Sequence, residues 1–455
     1  MKKSILSLGF FIILSPLALL SQQKTWTLEE CIAHALRNNI QIKQQELMTE
    51  YQVSALEQSK LNLLPTLNGS ASHNYAFGRA LDETTYEFTE NERVQSNSFY
   101  AGSNVTLFNG LVNYNTIKKN RYQVLASEQD LEKFRDDISL NIALGYLQIL
   151  LNQELVAATE SQMALTRQQI ERTRKMVNAG SLASGNLLEI EAQAAREELQ
   201  LVNLQNQLTL SLLNMTQMLE LENAEDFAVA IPAITVEDAN INADPLNIFS
   251  VAEKTRPEIL SAEYQLKSAE YELAIAKGSR SPRLSLGASL STGYSDTRLK
   301  PVTEAPYPFG EQLNDNLNYG IGLSLNIPIF NGWQVNTGIK NSRLNIENTR
   351  YSLENTRKQL YKSIQQAYTD ANGALKKFFA SQKAVASMEE AYRYAEQKLE
   401  VGMVTAVEYS QSKTQLLNAQ SEMAQAKYEF VFKTKVLDFY KGIPLTLENI
   451  TIQAK

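Results

Sequence analysis

The chain has 455 residues, one cysteine, two histidines and a net charge of −7 at neutral pH. The acidic balance argues against nucleic acid as a partner. A single cysteine excludes intrachain disulfides and cysteine-rich metal sites, and the sequence holds no phosphate loop, nucleophile elbow or metal motif that would make a case for an enzyme or a cofactor.

Residues 1–21 carry two lysines and then an apolar run from Ile5 to Leu20 interrupted by Pro16. This pattern predicts a secretory signal peptide cleaved near Ser21; a membrane anchor needs about 20 apolar residues, more than this run supplies. Cys31 lies beyond the cleavage point, so lipid attachment at a new terminal cysteine is not expected.

A helix is predicted from Thr27, with Glu30 placed to complete its cap, to about Leu63, and Pro65 ends it. Alternation follows: Leu67, Gly69, Ala71, His73, Tyr75 and Phe77 oppose a polar set, and Phe99, Ala101, Val105 and Leu107 do the same. After a second helix, from Asp244 and Pro245 to before Pro282, two more alternating runs span Leu284 to Tyr294 and Tyr319 to Ile329. Four strands with one apolar face and one small, polar face fit a membrane barrel. A soluble sandwich would alternate in the same way. The long polar loops Arg79 to Ser96 and Ser295 to Asn316, together with the small polar face, favour the barrel.

Each strand pair ends in the same turn, Phe108, Asn109 and Gly110, then Phe330, Asn331 and Gly332, spaced by 222 residues. The glycines permit a backbone turn there. Proline-free helices of about 67 residues follow, Val112 to Asn178 and Gln334 to Glu400, each ~100 Å long at 1.5 Å per residue. In the second, Ile364, Ala371, Phe378 and Val385 repeat by sevens, the spacing of a coiled-coil seam. Gly180 and Gly402 close these helices. Returning helices, Ala183 to Glu220 and Thr405 to Lys441, are about half as long. The long arms are covered along their length if the helices preceding the strands stack end to end with the returning ones.

This organisation divides the chain into residues 1–21, a first repeat (22–221), an equatorial segment (222–243), a second repeat (244–442) and an equatorial tail (443–455). Four strands leave two unpaired edges, costly in lipid. Closure therefore needs an oligomer, eight strands from a dimer or twelve from a trimer.

The chain resembles the TolC family of outer-membrane efflux and secretion channels. The residues that carry the resemblance are Leu28 to Leu36 with Asn38, Arg256 to Ile259, Pro65 and Pro282 before strands, both Phe-Asn-Gly turns and both hairpin glycines. It implies a mixed α and β fold in which a homotrimer builds a twelve-strand transmembrane β-barrel continued by a coiled-coil α-helical barrel. It also implies a place in the outer membrane of a Gram-negative bacterium, in contact with its lipid, and docking through a periplasmic adaptor protein onto an inner-membrane pump, with Gly180 and Gly402 at the docking tips.

The family closes its tunnel with acidic residues just past the second hairpin glycine. Six and nine residues after Gly402, these positions hold Glu408 and Gln411; the same offsets from Gly180 give Asn186 and Glu189. A ring of carboxylates from three copies would favour cations; solvated charges near a turn are the alternative reading. The implied function is the exit duct of a tripartite efflux system. The exit duct of a type I protein secretion system needs the same fold, and a non-conducting coiled-coil scaffold is the reading from a different class.

Cys31 and His34 share one helix face, a spacing open to a metal site, to a nucleophile and its base, or to a buried thiol beside a satisfied histidine. Trp333, after the strand end, suits a membrane-interface anchor, and Tyr146 and Tyr368 hold equivalent packing positions.

Overall fold

Strand β1 (Thr25–Trp26) leads into a helix fixed by Thr27, whose hydroxyl accepts from the Glu30 amide at 3.2 Å while the Glu30 carboxylate accepts from the Thr27 amide at 3.1 Å. That helix, α1 (Leu28–Asn38), does not run on to Leu63 as the spacing suggests. Asn39 turns to ψ 126°, and its Oδ1 accepts from the amides of Gln41 and Ile42 to start α2 (Ile40–Leu61). The chain then forms β2 (Thr66–Gly78), β3 (Glu92–Phe108), α3 (Val112–Asn178), α4 (Ser184–Met218), β4 (Ala228–Val229) and β5 (Ile234–Val236).

The second half opens with α5 (Pro245–Thr255) and α6 (Pro257–Gly278). Here too one expected helix is two, because the residue before a proline is driven out of the helical region and Arg256 has ψ 130°. Then come β6 (Arg283–Ser295), α7 (Phe309–Asp315), β7 (Asn318–Asn326), α8 (Gln334–Glu400), α9 (Ala406–Tyr440) and β8 (Ile450–Ile452). This computed structural model describes residues 25–79, 86–88, 92–223, 227–236, 244–300, 305–447 and 450–452. The signal peptide expected at 1–21, and parts of the loops and of the segments expected to be equatorial, lie outside them.

The sheet runs β2-β3-β6-β7, antiparallel throughout. Three differences from the sequence expectation stand out. Strand β3 starts at Glu92, so the first loop is shorter than Arg79 to Ser96. Strand β7 ends at Asn326, two residues before Pro328, leaving Ile327 and Ile329 outside it. The second loop contains α7, whose Phe309 ring meets Tyr294 and Phe99 edge-on at 5.0 and 6.4 Å between centroids. Gln312, fully buried, holds α7 to the strand end through the Ser295 amide and carbonyl at 3.0 and 2.8 Å.

Apolar side chains on one face of the sheet stand in the open, Leu67 at 80% and Ile321 at 77% exposure. The opposite face pairs small residues across strands, Ser285 with Ser324, Gly287 with Gly322 and Ser289 with Gly320. One face is therefore suited to lipid and the other to water.

At the strand-to-helix turns both Gly110 and Leu111 have positive φ, as do Gly332 and Trp333. A β-carbon on Gly110 would lie 2.4 Å from the Gly278 carbonyl oxygen, so this joint excludes any side chain; the same atom on Gly332 would meet nothing within 4 Å.

The shorter helices do stack end to end. The Asn39 side-chain amide donates to the Met218 carbonyl at 3.0 Å and the Ile40 amide to Glu220 Oε1 at 3.2 Å, joining the start of α2 to the end of α4. In the second half the Arg256 guanidinium lies 4.2 Å from the Phe439 ring centroid, joining α6 to the end of α9. Around these joints lies the largest apolar core, where α1 packs Cys31 and Ala35 against Ile142, Tyr146 and Ile149 of α3 and Met215 of α4. The Tyr146 hydroxyl reaches the carbonyls of Ala230 at 2.6 Å and Trp26 at 3.0 Å, tying the parallel pair β1 and β4 to α3. A second parallel pair joins β5 to β8. His34 packs edge-on against the Trp26 ring at 5.1 Å, and Cys31 is wholly buried. Tyr368 is partly buried against a second core around Ile364 and Leu437.

Candidate functional site at the hairpin tips

Both tips are built by the same backbone device. Gly180 (φ 73°) follows α3, its amide donating to the Val177 carbonyl while the Ser181 amide reaches Met176. Gly402 (φ 74°) follows α8 with the matching bonds, from its own amide to Leu399 and from Met403 to Lys398. This closure satisfies two otherwise orphaned carbonyls and requires a left-handed residue. No atom lies within 4 Å of where either β-carbon would sit, so dihedral freedom rather than crowding demands glycine there.

The returning helices start differently. Thr405 caps α9: its hydroxyl accepts from the Glu408 amide at 3.2 Å, and Glu408 Oε2 accepts from the Thr405 amide at 2.8 Å. Ala183, at the same place before α4, has no side chain to offer, and Asn186 turns its amide back to the Ala183 carbonyl at 3.4 Å. Glu408, singled out as an aperture carboxylate, therefore also holds its own helix end.

Glu189 of α4 and Gln411 of α9 line one cavity of about 650 Å³, with Gln162 of α3 at its wall. Asn186 and Gly402 line a second, of about 400 Å³, with Thr173 and Tyr409. Three of the four singled-out positions thus divide between two recesses, and Glu408 is in the lining of neither.

Beside the first cavity sits a cluster that sequence reasoning missed. Lys413 of α9 lies 3.5 Å from Glu197 of α4, and the Thr166 hydroxyl of α3 donates to the other Glu197 oxygen at 2.5 Å. Lys413 also donates to the Gln162 carbonyl at 3.3 Å and contacts Thr166. Gln193 bridges Glu197 to Thr414. Burial pushes the Lys413 ammonium below its usual range, and the Glu197 carboxylate opposes that shift. Nearer the tip, the Tyr392 and Tyr409 hydroxyls are 2.8 Å apart, and burial pushes both upward, keeping them protonated. A signal was present in the sequence: Thr159, Thr166 and Thr173 recur by sevens on α3, all buried, as polar residues on a seam.

The cluster joins the first hairpin to the second, and its ionic partners belong to different hairpins. Together the recesses and the cluster form a polar end to a long helical body. Among the described residues no group of acidic, histidine or cysteine side chains could hold a metal ion, and no helix is long and apolar enough to cross a membrane.

Residues 31–220 and 248–434 match the family described as outer membrane efflux protein. The chain is 22% identical over 442 residues to the outer membrane protein TolC of Escherichia coli (strain K12), covering 94% of this chain and 84% of that one. It is 20% identical to the proteases secretion protein PrtF of Dickeya chrysanthemi, covering 87% of this chain and 84% of the relative. Among solved structures, the Campylobacter jejuni CmeC outer membrane channel superposes with a TM-score of 0.77 at 17% identity, over 91% of this chain and 85% of that one.

Proposed function

The chain belongs to the outer membrane efflux protein family, and from that premise we propose that it works as a homotrimer, the outer-membrane exit duct of a tripartite efflux system. An outer-membrane duct for efflux or secretion is the function common to the family and to the relatives it matches. Three copies would pool twelve strands into a closed barrel, and their helices would continue it as a tunnel through the periplasm. The observation that carries this reading is the four-stranded sheet, with bare edges at β2 and β7, an exposed apolar face and a polar face of glycine and serine. Backbone edges left open in lipid cost several kcal/mol per unsatisfied group, and a small polar face leaves a closed barrel hollow.

In the same reading the chain is two tandem repeats with equatorial segments at 222–243 and 443–455, and the tips at Gly180 and Gly402 dock a periplasmic adaptor fed by an inner-membrane pump. Asn186, Glu189, Glu408 and Gln411 surround the aperture at that end. The small polar sheet face speaks against a scaffold whose interior is filled with bulky side chains.

A second reading, exit duct of a protein secretion system, is favoured by the likeness to PrtF, named as a proteases secretion protein. The test is native mass in detergent together with conductance in a planar bilayer. A conducting trimer supports the duct; a monomer stable without detergent overturns it. Deleting the gene then separates the two readings, through sensitivity to small toxic molecules in one case and loss of an exported protein in the other.

A further inference from the structure

Helix α7 lies on one particular side of the sheet, and the strand register says which. Leu290 pairs with Ala101 on one flank and with Tyr319 on the other, and Ala101 pairs with Gly69. Opposed residues share a face, as do alternate residues along a strand. Phe99, Thr292 and Tyr294 therefore stand with Leu67, Leu290 and Ile321 on the exposed apolar face. These are the side chains that hold α7: the Phe309 ring meets Phe99 and Tyr294, and the Thr292 hydroxyl donates to the Leu313 carbonyl at 2.7 Å. The loop helix is thus folded onto the apolar side of the sheet, away from the glycine and serine face.

Its height is fixed as well. On β6 the apolar face runs through Leu284, Leu286, Ala288 and Leu290, and α7 begins to cover it at Thr292. Eight residues at ~3.4 Å, tilted by about 40°, rise about 21 Å, close to the ~25 Å apolar band of outer-membrane barrels. One level above Thr292 the same face turns polar: His73 bonds to Asn97, and beyond them Arg93 lies 5.2 Å from the Tyr75 ring centroid. Besides Gln312, Asn316 anchors the helix at this level, its side-chain amide donating to the Gly293 carbonyl at 2.6 Å.

The helix also has two sides. Phe309 and Leu313 share one, and Glu311 and Asp315 lie about 200° round the axis from them. Glu311 pairs with Lys300 at 2.5 Å. Phe309 stays exposed even though it packs on two rings, and so does Leu317 just past the helix end.

We propose that α7 is an interfacial helix, lying in the outer leaflet at the boundary between acyl chains and headgroups. Its apolar edge faces the acyl chains, and Glu311 with Lys300 stands among the headgroups. Lipid is the occupant because this surface continues the apolar sheet face without a break, and because apolar and charged side chains adjoin on it as they do on helices that lie in a membrane surface. The assignment rests on the barrel proposed above. On that footing α7 is a collar that sets how deep the barrel sits, and a helix held on the lipid side leaves the lumen clear.

Nitroxide labelling tests the collar. Cys31 is wholly buried, so single added cysteines can be labelled on the protein reconstituted in phosphatidylethanolamine and phosphatidylglycerol vesicles. Collision with oxygen, which concentrates among acyl chains, is compared with collision with a water-soluble nickel chelate. Ile321→Cys, in the middle of the apolar face, is the reference for lipid. The oxygen-to-nickel ratio at Phe309→Cys should be at least twofold that at Glu311→Cys and below that at Ile321→Cys. Gly310→Cys should also exceed Glu311→Cys. Its β-carbon meets nothing within 4 Å, so it repeats the measurement with the Phe309 ring in place, and it decides where the two labels disagree. Labels on α7 that are all as open to nickel as a residue in water, with Ile321→Cys in lipid, overturn the collar and leave the barrel standing. Labels on α7 shielded from both reagents mean that protein covers the helix, which overturns it too. An Ile321→Cys label open to nickel overturns barrel and collar together.

Discussion

Lys413 Nζ lies 3.5 Å from Glu197 Oε1 with both side chains almost wholly buried, 4% and 3% exposed, and this contact pins the second hairpin to the first. Removing one partner of such a pair strands the other charge, at a cost of about 3–5 kcal/mol, while replacing both by apolar residues is often neutral. Glu197→Leu should therefore lower stability markedly in a denaturant titration in detergent. Adding Lys413→Met should restore most of the loss. A double variant no more stable than Glu197→Leu alone would show that the ionic contact is not what holds the hairpins together.

Gly402 has a positive φ and empty space around it. Gly402→Ala should cost about 1–2 kcal/mol of local stability through the left-handed conformation alone, and Gly402→Asn less, since asparagine tolerates that region. Limited proteolysis at the tip gives the ranking: glycine slowest to be cut, asparagine next, alanine fastest. Equal rates for alanine and asparagine would mean that the dihedral does not govern the tip.

Glu408 offers an oxygen to the Thr405 amide and carries a charge, and the two roles separate on substitution. Glu408→Gln keeps an acceptor for the cap and drops the charge; Glu408→Ala drops both. The glutamine variant should unfold within about 0.5 kcal/mol of the parent, and the alanine variant about 1 kcal/mol earlier. If Glu408 stands at a cation-binding constriction, both should weaken block of single-channel current by divalent cations. Block unchanged in the glutamine variant removes Glu408 from the aperture.

Asp136 of α3 sits 3.1 Å from Arg256 at the joint between α5 and α6. Burial raises its carboxyl above the ordinary value, with Arg256 pulling the other way and Glu258 adding to the rise. A raised folded-state pKa means that the folded form holds the proton more tightly. The stability this group contributes is thus complete below the ordinary carboxylate value and is lost as pH rises through the raised one. Asp136→Asn should flatten the fall in stability across that window. An unaltered pH profile would place the titration elsewhere.

The element types were written locally. Alternation at Leu284 to Tyr294, sevenfold spacing at Ile364 to Val385, prolines before strands and glycines after long helices each report a backbone period or a forbidden dihedral, which neighbours in sequence settle between themselves. The 67-residue helices fall at the expected residues for that reason. Even locally, three signals went unread: the cap Asn39 provides for α2, Pro257, which splits α5 from α6, and the capping box of Thr405 and Glu408, spaced as Thr27 and Glu30 are. What the spacing could not reach was partner choice. Lys413 reads as surface until α9 is laid against α4 and its ammonium meets a carboxylate 216 residues away in sequence. Local sterics set the elements; which buried charge meets which, and which edges of the sheet stay bare, depended on how the helices and strands packed, because burial and pairing energies exist only once distant segments exclude water together.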